Sequence, residues 1–324
     1  MDSMSIENGL SFELNNQDLT AKVTISPNTV DNVFISHSLS FKNHKYNVIA
    51  INENSFKNNS KIKSISFDNN SELSLIGKYS FFNSSLSSIT IPSSVTQIEE
   101  SCFQECIHLK TINFAAHSQL KKIGKKSFSK SSIKEITIPS SVIQIDEGSF
   151  EQCIKLKSVE FLPNSQLNSI NKSAFSETSI SMIVIPSNVE KISSYAFSKC
   201  MNLQSVEFES NSRLSSIEEC AFEETNINSM IVPSKVDRIF TQTFDTCTNL
   251  FAIEFLGSSL SFDDFCFDKS NSFQIASLPN ADEVTLTRYA FVGASASFMF
   301  YVKPNSKINR KDGNHPKKYL CEIQ

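Results

Sequence analysis

Eleven phenylalanines recur along this chain at two alternating intervals. Successive members lie 25 and 22 residues apart in turn over eight steps, and then 23 and 24 residues apart. The eleven positions are Phe56, Phe81, Phe103, Phe128, Phe150, Phe175, Phe197, Phe222, Phe244, Phe267 and Phe291. Alternate members are 47 residues apart five times in succession, so the chain holds about eleven repeats that form pairs of one long and one short repeat. Such an interval predicts an architecture in which each repeat packs on its neighbours.

Each repeat contains a pattern that is typical of a short strand. The frame is clear in SVIQIDEGSFEQCIKLKSVEF (141–161) and in LKKIGKKSFSKSSIKEITIP (120–139). The segment after the Phe has apolar residues at positions 1, 4 and 6, and the last two alternate as in a strand with one buried face. So small a repeat buries its Phe and aliphatic residues only by stacking, at about 1.5–3 kcal/mol for each buried side chain. The sequence therefore predicts a β-rich solenoid.

Proline follows the predicted strand in five repeats. These residues are Pro92, Pro139, Pro186, Pro233 and Pro279. Because proline cannot donate a backbone hydrogen bond, we expect the chain to leave the sheet at these positions.

The two ends of the chain differ from the array. Residues 1–47 alternate like strands but lack the repeat Phe, which predicts an N-terminal β cap over the open end of the solenoid. Residues 48–302 form the predicted solenoid, and residues 303–324 a polar C-terminal tail.

Charge and hydropathy bear on partners and location. The formal net charge is −4, with 20% charged residues, which argues against a nucleic-acid partner. No stretch approaches 18 apolar residues, so no membrane span is predicted. The first thirty residues show no basic segment followed by an apolar core, so no ordinary secretory signal is visible either.

The repeat frame resembles the BspA-like leucine-rich-repeat proteins. The family pattern, approximately LxxIxIPxSVxxIGxxAFxxC, is matched by IKEITIPSSVIQIDEGSFEQC (133–153) and ISMIVIPSNVEKISSYAFSKC (180–200). The match covers about residues 48–302, and its departures lie at Phe262–Leu278 and in the final repeat. The resemblance implies a right-handed leucine-rich-repeat superhelix with a parallel sheet on its concave face. It also implies a surface antigen or adhesin, at the cell surface or secreted.

The cysteines and histidines give no catalytic or metal motif. Cys106, Cys153, Cys200 and Cys247 follow a repeat Phe by three residues and lie 47 residues apart. Equivalent positions two repeats apart would be about 10 Å apart, at roughly 4.8 Å per repeat. A disulfide needs Cα atoms within about 7 Å, so we predict small buried packing residues. Cys102, Cys220, Cys266 and Cys321 have no repeat partner, and no CxxC occurs.

The histidines His37, His44, His108, His117 and His315 show no HExxH spacing, and no Gly-rich phosphate loop occurs. We therefore expect no catalytic, metal-binding or cofactor-binding residues, no cofactor, and no enzyme.

The outward-pointing strand positions are the candidate partner-binding residues. Along the array they change from small neutral residues to acids alternating with aliphatic residues. The candidate set is Glu160, Met182, Val184, Glu207, Ile231 and Glu254. Exposed aliphatic residues framed by acids are typical of a partner site. The alternative is ordinary cross-strand packing and β propensity in a diverging array.

Two functions follow from these observations. The first is non-catalytic recognition of a protein ligand, from a host or from the same organism, by a surface antigen or adhesin-like repeat protein. The second is an intracellular leucine-rich-repeat scaffold for protein–protein interaction, favoured by the absence of a visible signal or anchor and by cysteines without disulfide spacing.

Overall fold

The computed structural model describes residues 3–7, 9–24, 31–311 and 320–322. These residues form strands and turns, with no helix among them. The chain divides into two compact units, Met1–Gln166 and Leu167–Gln324, here called unit 1 and unit 2. Each unit is a parallel-strand β solenoid, so the predicted fold class is confirmed.

Unit 1 combines four-residue and two-residue strands after longer N-terminal strands. Its strands are β1 (Ser3–Glu7), β2 (Leu10–Asn15), β3 (Thr20–Val23), β4 (Asn32–Ile35), β5 (Ser38–Phe41), β6 (His44–Ile51), β7 (Ser64–Phe67), β8 (Leu75–Ile76), β9 (Ser88–Ile91), β10 (Gln97–Ile98), β11 (Thr111–Phe114), β12 (Lys122–Ile123), β13 (Glu135–Ile138), β14 (Gln144–Ile145) and β15 (Ser158–Phe161).

Unit 2 has the same alternation until its last repeats, where the two-residue strands are replaced by four-residue strands. Its strands are β16 (Ser169–Ile170), β17 (Met182–Ile185), β18 (Lys191–Ile192), β19 (Ser205–Phe208), β20 (Ser216–Ile217), β21 (Ser229–Val232), β22 (Arg238–Ile239), β23 (Ala252–Phe255), β24 (Ser259–Phe262), β25 (Ile275–Leu278), β26 (Glu283–Leu286), β27 (Met299–Val302), β28 (Lys307–Arg310) and β29 (Leu320–Glu322).

The two-residue strands build one sheet in each unit. In unit 1 the order is β1-β2-β3-β6-β8-β10-β12-β14, antiparallel within β1–β3 and parallel from β3 onward. In unit 2 the order is β16-β18-β20-β22-β24-β26-β28, all parallel. β1–β5 fall in the predicted cap, of which residues 1, 2, 8 and 25–30 lie outside the described residues. The cap boundary at residue 47 stays a prediction.

Most strands outside those sheets form parallel ladders that are interrupted once in each unit. The ladders are β11-β9-β7-β4 and β13-β15 in unit 1, and β17-β19 and β21-β23-β25-β27-β29 in unit 2. Each break within a unit falls where the strand of a long repeat is followed by that of a short repeat. At the breaks, N of Lys134 lies 3.4 Å from O of Lys110, and N of Asn228 lies 3.4 Å from O of Gln204. In the intact step that follows, N of Lys157 lies 2.8 Å from O of Lys134.

Proline contributes to these breaks by removing a backbone donor, although β9 and β25, which are also followed by proline, still pair with the preceding strand through shortened ladders. In an intact step the residue after the strand donates to the preceding repeat, as Ala115 N does to Ile91 O at 2.9 Å. The residue after β13 is Pro139, and the residue after β21 is Pro233. Neither has an N–H, so the ladder loses its last hydrogen bond there. The prediction that proline marks the end of the strand is confirmed, and the structure adds that proline weakens one of the two neighbouring ladders.

The repeat phenylalanines stack face to face within each unit. Ring centroids are 5.0–5.3 Å apart from Phe56 to Phe150 and 5.5–5.6 Å apart from Phe175 to Phe291. Interplanar angles do not exceed 11°. Separations of this size are favourable for parallel rings that are offset from one another. Ten of the eleven rings are fully buried, and Phe291, near the end of the array, is half-buried.

The turn around each Phe forms a further set of hydrogen bonds between repeats. In one repeat, N of Lys126, Phe128 and Lys130 each lie 2.8–2.9 Å from a backbone oxygen of the next repeat. Lys126 and Lys130 have φ of 52° and 59°, in the left-handed region. The same φ recurs two residues before and after the Phe in most repeats. Alternation of left-handed with ordinary conformations turns every second N–H of this segment toward the next repeat.

The last repeats depart from the frame, as the sequence predicts. β24, β26 and β28 have four residues where earlier repeats have two. Phe262 fills the widened core, with its ring edge-on to Phe255 at 5.2 Å and tilted against Phe291 at 5.1 Å. β28 lies in the predicted polar tail, of which residues 312–319, 323 and 324 are outside the described residues. The tail boundary at residue 303 stays a prediction.

Phe128→Ala should destabilise the protein by about 3–5 kcal/mol, because it leaves a cavity between two stacked rings. The measurement is the urea dependence of the far-UV circular dichroism signal. Phe34→Ala is the control, because that ring is 52% exposed and its loss should cost about 0.5 kcal/mol. Equal destabilisation by the two variants would contradict a stability role for the stack.

Candidate binding face

The outward-pointing residues of the four-residue strands form a surface that we call the strand face. In β17 the buried Ile183 and Ile185 alternate with Met182 and Val184, which point outward. The same alternation in β21 directs Ile231 outward. Strand pleating alone therefore places these aliphatic side chains on the solvent side of the sheet.

Strand register pairs aliphatic with acidic residues in unit 2. Val184 lies opposite Glu207 in the β17–β19 ladder. Ile231 lies opposite Glu254 in the β21–β23 ladder. Met182 lies opposite Ser205. Five of the six candidate residues are thus on four strands of unit 2.

The aliphatic side chains of this face are largely exposed to solvent and do not belong to the core. The exposed fraction is 53% for Met182, 39% for Val184 and 57% for Ile231. Among the described residues, no basic nitrogen lies within 4.0 Å of the carboxylates of Glu207 and Glu254. The face therefore offers apolar contact area beside carboxylates that are available to a partner.

A groove of about 800 Å³ lies on this face in unit 2. Glu207, Ile231 and Glu254 line it on the strand side, and the turns that follow the strands, including Pro233 and Leu256, form the other side. Met182 and Val184 lie outside the lining of the groove. The structure thus brings three of the six candidate residues into one concave site.

Glu160 belongs to a different groove, in unit 1. It lies on β15 opposite Thr137, whose Oγ1 is 3.4 Å from Glu160 Oε2. The groove measures about 520 Å³, and its lining includes polar residues such as Ser140 and His117 together with the exposed Leu162, which follows β15. No exposed aliphatic strand residue lines it, so the two grooves differ in character.

The wall formed by the turns was missed by sequence reasoning. Residues 209–212, Pro233, Ser234 and Leu256 border the groove of unit 2. Asn211 has φ of 60°, which turns the chain after β19 back over the end of the strand. The polar run ESNS (209–212) after the strand is the signal that marks such a turn.

The four periodic cysteines are buried packing residues, as predicted. Each thiol lies 2.9–3.1 Å from the backbone oxygen of the Phe in the preceding repeat, as Cys153 Sγ does from Phe128 O. A Ser or Thr of the preceding repeat approaches the same sulfur at 3.2–3.5 Å, as Ser131 Oγ does for Cys153. The thiol thus acts as a small donor to a buried carbonyl.

Burial makes these thiols poor nucleophiles. Removal from water raises the pKa of Cys106, Cys153, Cys200 and Cys247 to about 11. Within the described part of the chain, no group of three or more His, Cys, Asp or Glu side chains could hold a metal ion. The side chain of Cys321 and residue His315 lie outside that part.

One histidine meets a carboxylate that the sequence pattern did not indicate. His37 Nδ1 lies 2.9 Å from Asp68 Oδ2. The backbone N–H of Asn70 and the His37 ring lower the pKa of Asp68. The pair is part-buried and joins the segments that follow the paired strands β4 and β7 of unit 1.

Stacked strands, one buried Phe per repeat and a solvated strand face together define a leucine-rich-repeat solenoid. A family model for the BspA-type leucine-rich repeat region matches residues 28–157, 121–244 and 168–298, with six copies. These matches cover more than half of the chain. The chain therefore belongs to the BspA-type leucine-rich repeat family.

Solved structures share the fold. A leucine-rich repeat protein from Bacteroides ovatus has 24% identity and a TM-score of 0.70, covering 98% of this chain and 82% of that chain. A leucine-rich cell surface protein from Faecalibacterium prausnitzii has 18% identity and a TM-score of 0.54, covering 98% and 97%. The pneumococcal vaccine antigen PcpA has 17% identity and a TM-score of 0.57, covering 100% and 94%. No curated protein matches the sequence.

The family and its structural neighbours are generally non-enzymatic scaffolds. Among the described residues, none lies in a helix of the length and apolar character needed to cross a membrane.

The buried thiols should resist labelling in the folded protein. In a Cys321→Ser background, DTNB at pH 8 should leave the remaining seven thiols unlabelled, because the thiolate is the reactive form and burial suppresses it. Addition of urea should release one equivalent of thionitrobenzoate per thiol, which absorbance measures. Rapid stoichiometric labelling without urea would show that the cysteines are accessible.

Proposed function

We propose that the protein recognises a protein ligand through the strand face of unit 2 and acts without catalysis. The observation that carries the proposal is Ile231, which is 57% exposed and lines a groove together with Glu207 and Glu254. An aliphatic anchor in a concave site, bordered by polar groups, is a common form of protein-binding site. The carboxylates favour a partner that presents basic side chains around an apolar residue.

We further propose that this recognition takes place at a cell surface, as in a surface antigen or adhesin. Two structural neighbours support this proposal, since one is described as a cell surface protein and the other as a vaccine antigen. The alternative, a scaffold inside the cell, is favoured by the seven cysteines with described side chains, all of which occur as free thiols.

The double variant Val184→Lys/Ile231→Lys should weaken binding to cultured host cells at least 10-fold, because a cation replaces each apolar contact. A 10-fold loss of affinity corresponds to about 1.4 kcal/mol of binding free energy. Flow cytometry with fluorescently labelled protein measures the binding, with and without prior trypsin treatment of the cells. Trypsin should abolish binding of the original chain if the ligand is a protein.

The matched control is Thr90→Lys/Thr137→Lys, which makes the same change in charge at the same strand position in short repeats of unit 1. This control should bind like the original chain. Unchanged binding by a folded Val184→Lys/Ile231→Lys protein would reject the strand face of unit 2 as the binding site.

The two locations can be separated in the cells that make the protein. Intact cells are treated with a membrane-impermeant biotin reagent, and the chain is then tested for biotin on its lysines. A surface protein should be labelled on intact cells as strongly as after lysis. Labelling only after lysis would favour the intracellular scaffold.

A further inference from the structure

The edge that precedes the strands of unit 1 concentrates basic residues. Three consecutive repeats read HLK (108–110), SIK (132–134) and KLK (155–157) just before β11, β13 and β15. The central residue of each triplet is buried, and among its neighbours His108, Lys110, Lys134, Lys155 and Lys157 are exposed, whereas Ser132 is buried. The exposed neighbours form what we call the basic edge, which consists of His108, Lys110, Lys134, Lys155 and Lys157.

The backbone stacks three of these lysines in one line. N of Lys134 is 3.4 Å from O of Lys110, and N of Lys157 is 2.8 Å from O of Lys134. Their backbones are therefore one repeat apart, roughly 4.8 Å. All three side chains are exposed. Lys155, two residues before Lys157, donates a hydrogen bond to Ser132 Oγ at 3.2 Å.

These stacked lysines have no counter-ion in the part of the chain that the structure describes. Among the described residues, no carboxylate oxygen lies within 4.0 Å of Lys110, Lys134, Lys155 or Lys157. Glu135, the nearest acid in the sequence, begins β13 and lies opposite Ser158 on the strand face.

Elsewhere in unit 1, stacked charges alternate in sign. In the turns before the stacked phenylalanines, Lys78 lies 3.5 Å from Glu100, and Lys125 lies 3.0 Å from Glu147. Like charges one repeat apart repel each other, whereas alternating charges attract. The basic edge places like charges on successive repeats, whereas the turns of the same unit place opposite charges there. This difference favours an external anion as the counter-charge of the basic edge.

Unit 2 shows that the repeat does not require this charge. The equivalent positions before β19, β21 and β23 are all uncharged: Asn202, Gln204, Asn226, Asn228, Asn249 and Phe251. The backbone contact is the same, since Asn228 N is 3.4 Å from Gln204 O. Asn and Gln side chains are therefore compatible with these positions of the repeat, so the fold does not require the lysines of unit 1.

We propose that the basic edge binds a linear, sulfated polysaccharide. Columns of ammonium groups along successive repeats match an anionic chain that carries a charge on each sugar. Lysine is a compact point charge that suits sulfate. A single-stranded nucleic acid would call for successive aromatic stacking platforms, and His108 is the only aromatic ring among the five residues.

A lipid bilayer fits the observations less well. Ile107 and Ile154 are exposed beside the basic edge, at 59% and 66%. However, the equivalent residue of unit 2, Met201, is exposed at 60% with no lysine at the neighbouring edge positions. Exposed aliphatic residues at this position are therefore a property of the repeat and not of the basic edge.

The test is binding of a fluorescent heparin octasaccharide to the full chain, measured by anisotropy over a range of salt concentrations. Lys110→Gln/Lys134→Gln/Lys157→Gln should lower the affinity at least 10-fold. For this variant, the plot of log affinity against log salt concentration should be less steep by about 2. Three ionic contacts are removed, and each contributes about 0.7–0.9 to the slope.

The control is Lys78→Gln/Lys125→Gln/Lys126→Gln, which removes the same charge from unit 1 at lysines that pair with glutamates. It should change the affinity less than about 2-fold. Val184→Lys/Ile231→Lys should leave heparin binding intact, so this site and the proposed protein site can fail separately.

Several outcomes would overturn the proposal. Equal loss in the two triple variants would show a non-specific charge effect. Undiminished binding by the basic-edge variant, with normal circular dichroism, would place the site elsewhere. Tighter binding to a single-stranded oligonucleotide, to an acidic peptide or to phosphatidylserine vesicles at the same salt would identify a different class of partner.

Discussion

Stacking of one phenylalanine ring on the next is the interaction on which the rest of the structure depends. A repeat of 22–25 residues cannot enclose its own ring, so burial requires a neighbour on each side at 5.0–5.6 Å. The surrounding turn maintains this spacing by directing three N–H groups to the next repeat. The turn does so with two left-handed residues per repeat, each costing roughly 1–2 kcal/mol in a residue with a side chain. In the last of these turns the position is Gly293, where an added Cβ would overlap the backbone N of Lys269.

The 47-residue pair has a physical basis in hydrogen bonding. Proline after each short strand removes the donor that would complete the ladder to the preceding long repeat, while the ladder to the following long repeat stays complete. Below the sheet, Thr225 of a short repeat and Cys247 of the next long repeat both donate to Phe222 O. Short and long repeats are therefore joined into blocks both at the strand and at the Phe turn.

Sequence periodicity predicts the features that every repeat shares. The stacked rings, the buried cysteines and the strand alternation follow from spacing, because each depends on a position that recurs in register. The ladder breaks were not predicted. They depend on which neighbouring repeat would have accepted the hydrogen bond that proline cannot donate, and this is a property of the folded arrangement. The wall of the groove around Pro233 and Leu256 was missed for the same reason, as it comes from turns of different repeats.

Some positions of the repeat are constrained by ring stacking and the ladder, and others are not. One scaffold can therefore carry different surfaces. Lys134 and Asn228 occupy equivalent positions, and each backbone N lies 3.4 Å from the oxygen of the preceding repeat. Three residues further along, Thr137 and Ile231 point outward from equivalent strands. Neither pair contributes to the ring stack or alters the ladder, so exchanging one side chain for the other leaves the forces that hold the repeat unchanged. Surface chemistry can therefore diverge between repeats at little cost in stability, and a cationic edge in unit 1 and an acidic, aliphatic groove in unit 2 can arise from the same backbone.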